Sequence, residues 1–138
     1  MLREALVTAF LATTDLERAR RFFEGVLGLT VESQDDFALV LRTPGSTGSA
    51  GSAGSAIRVT RVQQIAPAPY TVLGWSVADL RRTLEDLRQR GVTFTRYPGM
   101  NQDELGVWTA PSGARVAWFA DPDGNVLSLT EHRAPVAG

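Results

Sequence analysis

The sequence predicts an α+β fold made of two βαβββ modules. An apolar strand followed by an amphipathic helix that ends at a glycine occurs twice, and further strand-like segments follow each helix. The two halves also align, because the pair Asp-Leu recurs 64 residues apart and Gly28 matches Gly91 at a spacing of 63. We therefore expect one domain with a first module at about 4–64 and a second at about 69–132.

The first module begins with a continuous apolar run at residues 6–12, which is typical of a strand buried on both faces. Thr14 and Glu17 match a capping box, and apolar residues then recur at helical spacing until Gly28. These features predict a strand and a helix. The remaining strands are predicted at 29–32, 37–42 and 56–62.

The second module repeats this order. Residues 71–77 are predicted as a strand, and Leu80, Leu84 and Leu87 mark a helix that ends near Gly91. Strand candidates follow at 92–96, 106–110, 114–120 and 126–130. The turns are expected at 111–113 and 121–125, where Asp121 and Asp123 would have turn-forming roles.

Composition excludes several classes of partner and site. The formal charge is −1, so no general electrostatic field favours nucleic acid or anionic membranes. The chain has no cysteine, which excludes disulfides, thiolate metal sites and cysteine nucleophiles. No apolar run approaches the roughly 20 residues that span a bilayer. We expect a cytoplasmic protein with neither nucleic acid nor membrane as partner.

A low-complexity segment at 44–56 contains four repeats that begin with Gly-Ser. Such a chain is flexible, and lengthening a surface loop costs only about 0.6 kcal/mol per doubling. We interpret it as a tolerated insertion, with a functional lid as the alternative. It contains no lysine, so it is not a P-loop.

Three segments in this order resemble the vicinal-oxygen-chelate superfamily, which includes glyoxalase I, extradiol dioxygenases, fosfomycin-resistance proteins and bleomycin-binding proteins. The segments are 14–23 (TDLERARRFF), 26–29 (VLGL) and 119–125 (FADPDGN). The resemblance covers nearly the whole chain. It implies that the two modules form a curled mixed sheet, or cup, with the helices outside, and that the protein is a homodimer.

The resemblance also places four metal ligands, usually His or Glu, on the first and last strands of each module. In this sequence the positions fall on Thr8, Arg58, Val72 and Ser128, with a possible shift of the third toward Tyr70 or Thr71. None of these is a usual ligand. The single histidine, His132, follows the last strand and is expected in solvent. We therefore predict no metal, no cofactor and no catalytic residue, and an all-carboxylate metal site remains the alternative.

Alternation along the strands predicts what the cup presents instead of a metal. Residues two apart on a strand face the same side, so if Thr8 faces the cup then Phe10 does too, and if Arg58 does then so does Thr60. Trp75 is expected to face the helices. The predicted ligand-binding residues are Thr8, Phe10, Arg58, Thr60, Val72, Ser128, Trp108 and Trp118. Arg58 either binds an anionic group of a ligand or pairs with an acidic residue of the protein, and the sequence leaves both open.

These residues favour a metal-free protein that binds a small, partly apolar organic ligand. A glyoxalase-like lyase or dioxygenase activity is not supported by the residues at the ligand positions. Two other classes stay open: an enzyme with altered, metal-independent or carboxylate-metal chemistry (lyase, isomerase or oxygenase-like), and a dimeric interaction module. The acidic segment 97–105 is interpreted as a solvated turn, with a role at the rim of the site as the alternative.

Overall fold

The computed structural model describes residues 1–42 and 55–132. Two compact units are present, Met1–Ala66 and Pro67–Gly138. Their boundary falls in the gap predicted between the two modules. The Gly/Ser segment predicted at 44–56 lies almost entirely outside the described residues, apart from its last two.

The described part of the first unit contains one α-helix, one 3-10 helix, one π-helix and four strands. A short 3-10 helix, Leu2–Glu4, precedes strand β1, and helix α1 continues directly into a π-helix. The strands form a mixed sheet in the order β1-β4-β3-β2, in which β1 and β4 are parallel and the other pairs are antiparallel. The bounds are β1 Thr8–Thr13, α1 Leu16–Arg20, π-helix Arg21–Val26, β2 Thr30–Gln34, β3 Ala38–Arg42 and β4 Ala56–Arg61.

The second unit repeats this topology. Its sheet has the order β5-β8-β7-β6, again with the first two strands parallel and the others antiparallel. The bounds are β5 Thr71–Ser76, α2 Leu80–Gln89, β6 Trp108–Thr109, β7 Arg115–Ala120 and β8 Val126–Glu131. The prediction of an α+β fold with two βαβββ modules is confirmed, and each module forms its own four-stranded mixed sheet.

The helical segment made of α1 and its π-helix begins and ends in the same way as α2. Asp15 caps α1 by accepting a hydrogen bond from the Arg18 amide at 3.1 Å, and Asp79 caps α2 by accepting one from the Arg82 amide at 3.1 Å. Beyond the helices, Gly28 and Gly91 have φ of 76° and 94°. Glycine reaches this left-handed conformation without steric cost.

The predicted capping box with Thr14 was wrong by one residue. Thr14 lies one position too early for its hydroxyl to reach the first free amides of the helix, and it instead accepts a hydrogen bond from the Arg18 guanidinium at 3.0 Å. Asp15 is held in place as the cap because its own amide donates to the Thr13 hydroxyl at 3.1 Å. Threonine and aspartate are both favoured at the N-cap, so the sequence alone did not decide between Thr14 and Asp15.

The predicted strand at 92–96 was also wrong, since only an isolated bridge joins Phe94 to Phe119. The physical reason is a competing side chain. The carbonyl of Thr95 accepts a hydrogen bond from the Gln102 side-chain amide at 3.0 Å, so the chain turns into a loop there.

Each helix packs on one face of its own sheet. In the first module the buried residues include Leu16, Ala19 and Phe23 from the helical segment and Leu39, Leu41, Ile57 and Val59 from the strands. In the second they include Leu80 and Leu84 from α2 and Ala117, Phe119, Leu127 and Leu129 from the strands. No helix in the described ranges is long and apolar enough to cross a membrane.

Candidate ligand-binding faces of the two sheets

The face of the first sheet that lacks the helix carries four of the predicted site residues. Because β1 and β4 alternate between buried and accessible residues, Thr8, Phe10, Arg58 and Thr60 all lie on this face. The Cα register places Phe10 directly opposite Arg58, and Arg58 opposite Val40 on β3. We call this set, with Val40, the first helix-free face.

Phe10 and Arg58 differ in accessibility. Phe10 is 66% exposed, although large apolar side chains are usually buried, whereas Arg58 is half-buried. An exposed ring beside a partly desolvated guanidinium presents an apolar surface and a fork of donors together. This pair can contact an organic molecule that has both an apolar part and an anionic part.

Arg58 makes no ion pair with the described carboxylates of its own module. Its charge does reach Asp35. The amides of Phe37 and Ala38, at 2.8 and 2.9 Å, lower the pKa of the Asp35 carboxyl most, and the field of Arg58 lowers it further. This is a longer-range attraction, so the internal ion pair that the sequence left open is absent from the described first module.

The other arginine near this face is fully paired. Arg42 binds Glu32 in a fork, with distances of 3.0 Å from Nε to Oε2 and 2.8 Å from Nη2 to Oε1. The hydrogen bond and the charge of Arg42 hold the pKa of the Glu32 carboxyl below its usual value. The charges of Arg42 and Glu32 therefore neutralise one another, whereas no described carboxylate of the first module neutralises Arg58 in this way.

Ser128 is at the centre of the corresponding face of the second sheet. It lies between Gly74 on β5 and Trp118 on β7 in the strand register, and it is 7% exposed. A Cβ atom added to Gly74 would lie 2.9 Å from the Ser128 hydroxyl oxygen. Any residue other than glycine would therefore fill the recess beside Ser128. The Ser128 hydroxyl makes no hydrogen bond to the described residues.

Val72, the third predicted ligand position, is displaced by an irregularity in the strand pairing. The register shifts between Thr71 and Leu73, so Val72 lies in a bulge and has no partner residue of its own in β8. Thr71 pairs with Val126 and Gly74 with Ser128. Thr71, one of the two residues toward which the sequence allowed a shift, is therefore in register with β8, and Val72 is not.

Three aromatic rings form a cluster on the second helix-free face, which we define as Gly74, Tyr97, Trp108, Trp118 and Ser128. The rings of Tyr97 and Trp118 meet edge to face at 5.5 Å between centroids, and Trp108 and Trp118 lie 6.2 Å apart at 40°. All three side chains are partly exposed. Trp75 instead stacks on buried Phe119 at 6.4 Å, on the face that carries α2, as predicted.

The loop that carries Tyr97 is fixed by Gln102. Its side chain accepts from the Tyr97 amide at 2.8 Å and donates to the carbonyls of Thr95 and Gly106 at 3.0 and 2.8 Å. The sequence interpretation of a solvated turn missed both Tyr97 and Gln102. Asp103 and Glu104 are exposed as expected, but Gln102 is half-buried and positions a ring of the cluster.

The donor atoms at the four family ligand positions do not fit a metal ion. The side chains of Thr8, Arg58, Val72 and Ser128 offer two hydroxyls, a cation and an alkyl group. Among residues 1–42 and 55–132, no group of three or more His, Cys, Asp or Glu side chains could hold a metal. His132 is exposed, as predicted.

Asp121 is a buried carboxyl with a structural role. Burial raises its pKa most, while hydrogen bonds from the Asn125 side chain and from the Asn125 and Asp123 amides oppose that effect. The three donors lie 2.8, 2.9 and 3.0 Å from its oxygens. The predicted turn-forming role of Asp121 is thereby confirmed.

Solved structures of similar fold cover most of the chain. A protein of the glyoxalase/bleomycin resistance/dioxygenase superfamily from Sphaerobacter thermophilus is similar, with a TM-score of 0.66 and 26% identity over 92% of this chain and 96% of that one. A glyoxalase-family protein from Bacillus anthracis matches with a TM-score of 0.69 and 14% identity over 94% and 95% of the two chains. A search of curated proteins finds no match.

The family model gives the assignment directly. Residues 5–129 match the model of the Glyoxalase/Bleomycin resistance protein/Dioxygenase superfamily, which is most of the chain and includes both modules. The topology of the two sheets agrees with the match. This chain belongs to the glyoxalase/bleomycin resistance protein/dioxygenase superfamily.

Proposed function

We propose that the protein binds a partly apolar organic compound on the helix-free faces of its sheets, without a metal ion. The observation that carries the proposal is the ring cluster of Tyr97, Trp108 and Trp118 beside the accessible hydroxyl of Ser128. Aromatic side chains with a small number of placed polar groups are the usual composition of an organic-ligand site.

The recess at Gly74 supports the same proposal. Glycine at this point lets the parallel neighbour β8 and its Ser128 side chain approach without a Cβ between them. Trp118 lies on the other side of Ser128. A planar group that stacks on Trp118 would thus have a hydroxyl within reach to fix its orientation.

The residues at the family ligand positions support binding over the metal-dependent reactions of the superfamily. Two hydroxyls, one guanidinium and one alkyl group can contact an organic molecule but do not form a usual metal coordination sphere. Association into a symmetric homodimer, which the family resemblance implies, is part of the proposal.

A ligand screen tests the proposal. Aromatic compounds that bind on the second face are expected to quench tryptophan fluorescence and raise the thermal midpoint, because a ligand that binds only the native state stabilises it. Trp118→Phe should reduce the quenching strongly. The matched control is Trp75→Phe, since Trp75 stacks on Phe119 on the opposite face, which carries α2, and should report little of the binding.

A screen in which no aromatic compound shifts the midpoint would contradict the proposal and favour the interaction module. Equal loss of quenching in Trp118→Phe and Trp75→Phe would place the ligand away from the ring cluster, which also contradicts it. Fluorescence quenching and the thermal midpoint are both measured on the full-length chain.

A further inference from the structure

We infer that the first helix-free face binds an aromatic monocarboxylate, whose carboxylate contacts Arg58 and whose ring contacts Phe10. This inference rests on the proposed function and adds the chemical class of the ligand. It depends on three features of the first helix-free face: the missing acidic partner of Arg58, the position of Phe10, and the charge of the surroundings.

The lack of an internal partner is the first step. Arg58 is half-buried, and none of the described carboxylates of its module lies within ion-pair distance. The segment 43–54, outside the described residues, contains no Asp or Glu, so it supplies no acidic side chain either. A partly desolvated guanidinium without a counter-ion favours an external anion.

The position of Phe10 supplies the apolar half of the ligand. Phe10 and Arg58 are Cα partners on adjacent parallel strands, and both side chains project from the same face. Adjacent strands lie about 4.8 Å apart, which is comparable to the distance from a carboxylate carbon to the far side of the ring that carries it. A ring on Phe10 therefore brings an attached carboxylate to the guanidinium.

The charged groups near Arg58 favour a ligand that carries a single negative charge. Arg42 is already neutralised by its forked hydrogen bonds to Glu32, so it adds no free positive charge beside Arg58. Asp35, whose pKa the field of Arg58 helps to lower, adds a negative charge within range of that field. One guanidinium in this setting matches a monoanion, and a phosphate monoester would bring a second, uncompensated charge.

The planar fork of arginine further favours a carboxylate. Arginine binds a carboxylate through two parallel N–H to oxygen hydrogen bonds, whereas lysine offers a compact point charge on a flexible stem. Arg58→Lys keeps the charge and removes the fork. This variant therefore separates the geometric part of recognition from the purely electrostatic part.

The experiment compares three probes with the same ring system, 1-naphthoate, 1-naphthamide and 1-naphthyl phosphate, by calorimetric titration of the full chain. We expect naphthoate to bind at least tenfold more tightly than either of the others. Arg58→Gln should abolish this preference, and Arg58→Lys should reduce it. Arg42→Gln is the matched control, because Arg42 is paired with Glu32, and it should keep the preference.

Each alternative result is distinct. Equal affinity for naphthoate and naphthamide, or a preference for the phosphate, overturns the inference and leaves the proposed function standing. Failure of all three probes also overturns the inference, and it contradicts the proposed function as well when no other aromatic compound in the screen shifts the thermal midpoint. If Arg58→Gln lowers the thermal midpoint or converts a dimer to monomers in sedimentation while the preference for naphthoate persists, Arg58 has a structural or interface role and the inference is wrong.

Discussion

Replacing Asp121 by alanine is expected to lower the free energy of unfolding by about 2–4 kcal/mol, because each stranded buried donor costs about 1–3 kcal/mol. The carboxylate of Asp121 accepts from the Asp123 and Asn125 amides and from the Asn125 side chain, and Asp121 is only 6% exposed. Alanine removes all three acceptor contacts and leaves the donors in the turn before β8.

Denaturant titration at neutral pH measures this effect. The matched control is Asp86→Ala, which replaces an exposed aspartate within α2 and should leave the free energy of unfolding almost unchanged. The free energy of unfolding of Asp121→Asn should lie between those of Asp121→Ala and Asp86→Ala, because the asparagine carbonyl can still accept hydrogen bonds from the backbone amides. An Asp121→Ala variant as stable as Asp86→Ala would show that the turn does not depend on the carboxyl.

The raised pKa of Asp121 adds a pH dependence with a defined sign. Since the folded pKa lies above the unfolded value of 3.8, the stabilisation from this group is complete below 3.8 and is lost as pH rises through the folded pKa. Asp121→Asn stays neutral throughout. The stability of Asp121→Asn relative to the wild type should therefore improve as pH rises through this range.

The second large effect is expected at Gly74. A Cβ at this position would lie 2.9 Å from the Ser128 hydroxyl oxygen and 3.3 Å from the Ser128 carbonyl oxygen. The carbonyl belongs to the neighbouring strand and has little freedom to move. Gly74→Ala is therefore expected to cost about 1–3 kcal/mol of stability, the range for overpacking, and to reduce ligand binding by filling the recess.

A double-mutant cycle identifies the contact responsible. Ser128→Ala removes the hydroxyl but not the carbonyl, so Gly74→Ala should cost less in the Ser128→Ala background than in the wild type. Gly25→Ala is the control, because a Cβ there would meet nothing within 4 Å. Strictly additive effects of the two substitutions would contradict the proposed contact between the residues.

Most of the fold was predictable because local chemistry encodes it. The recurring Asp-Leu pair marks the start of each helix and Gly28 and Gly91 mark the ends, and the structure gives both features the same roles in both modules. The errors arose where local signals were ambiguous or overridden. Thr14 and Asp15 are both good caps, and Gln102 interrupts a strand that residues 92–96 favour on their own.

Strand alternation was the only sequence signal that predicted which candidate site residues share a face. Alternation correctly placed Thr8, Phe10, Arg58 and Thr60 on one face of the first sheet. The bulge at Val72 depends on the register of two strands and has no local signal. The position of Tyr97 depends on the hydrogen bonds that the Gln102 side chain accepts from it and donates to Thr95 and Gly106. The lack of an ion-pair partner for Arg58 among the described residues depends on distances between elements. Local sequence patterns determine neither.

The most direct test of a metal-free binding protein combines elemental analysis with calorimetry on the same sample. We predict that the purified protein carries no stoichiometric divalent metal, that chelator leaves its thermal midpoint unchanged, and that 1-naphthoate binds with the same affinity before and after chelation. One metal ion per subunit retained through gel filtration, with naphthoate binding that disappears when the metal is removed, would contradict the account.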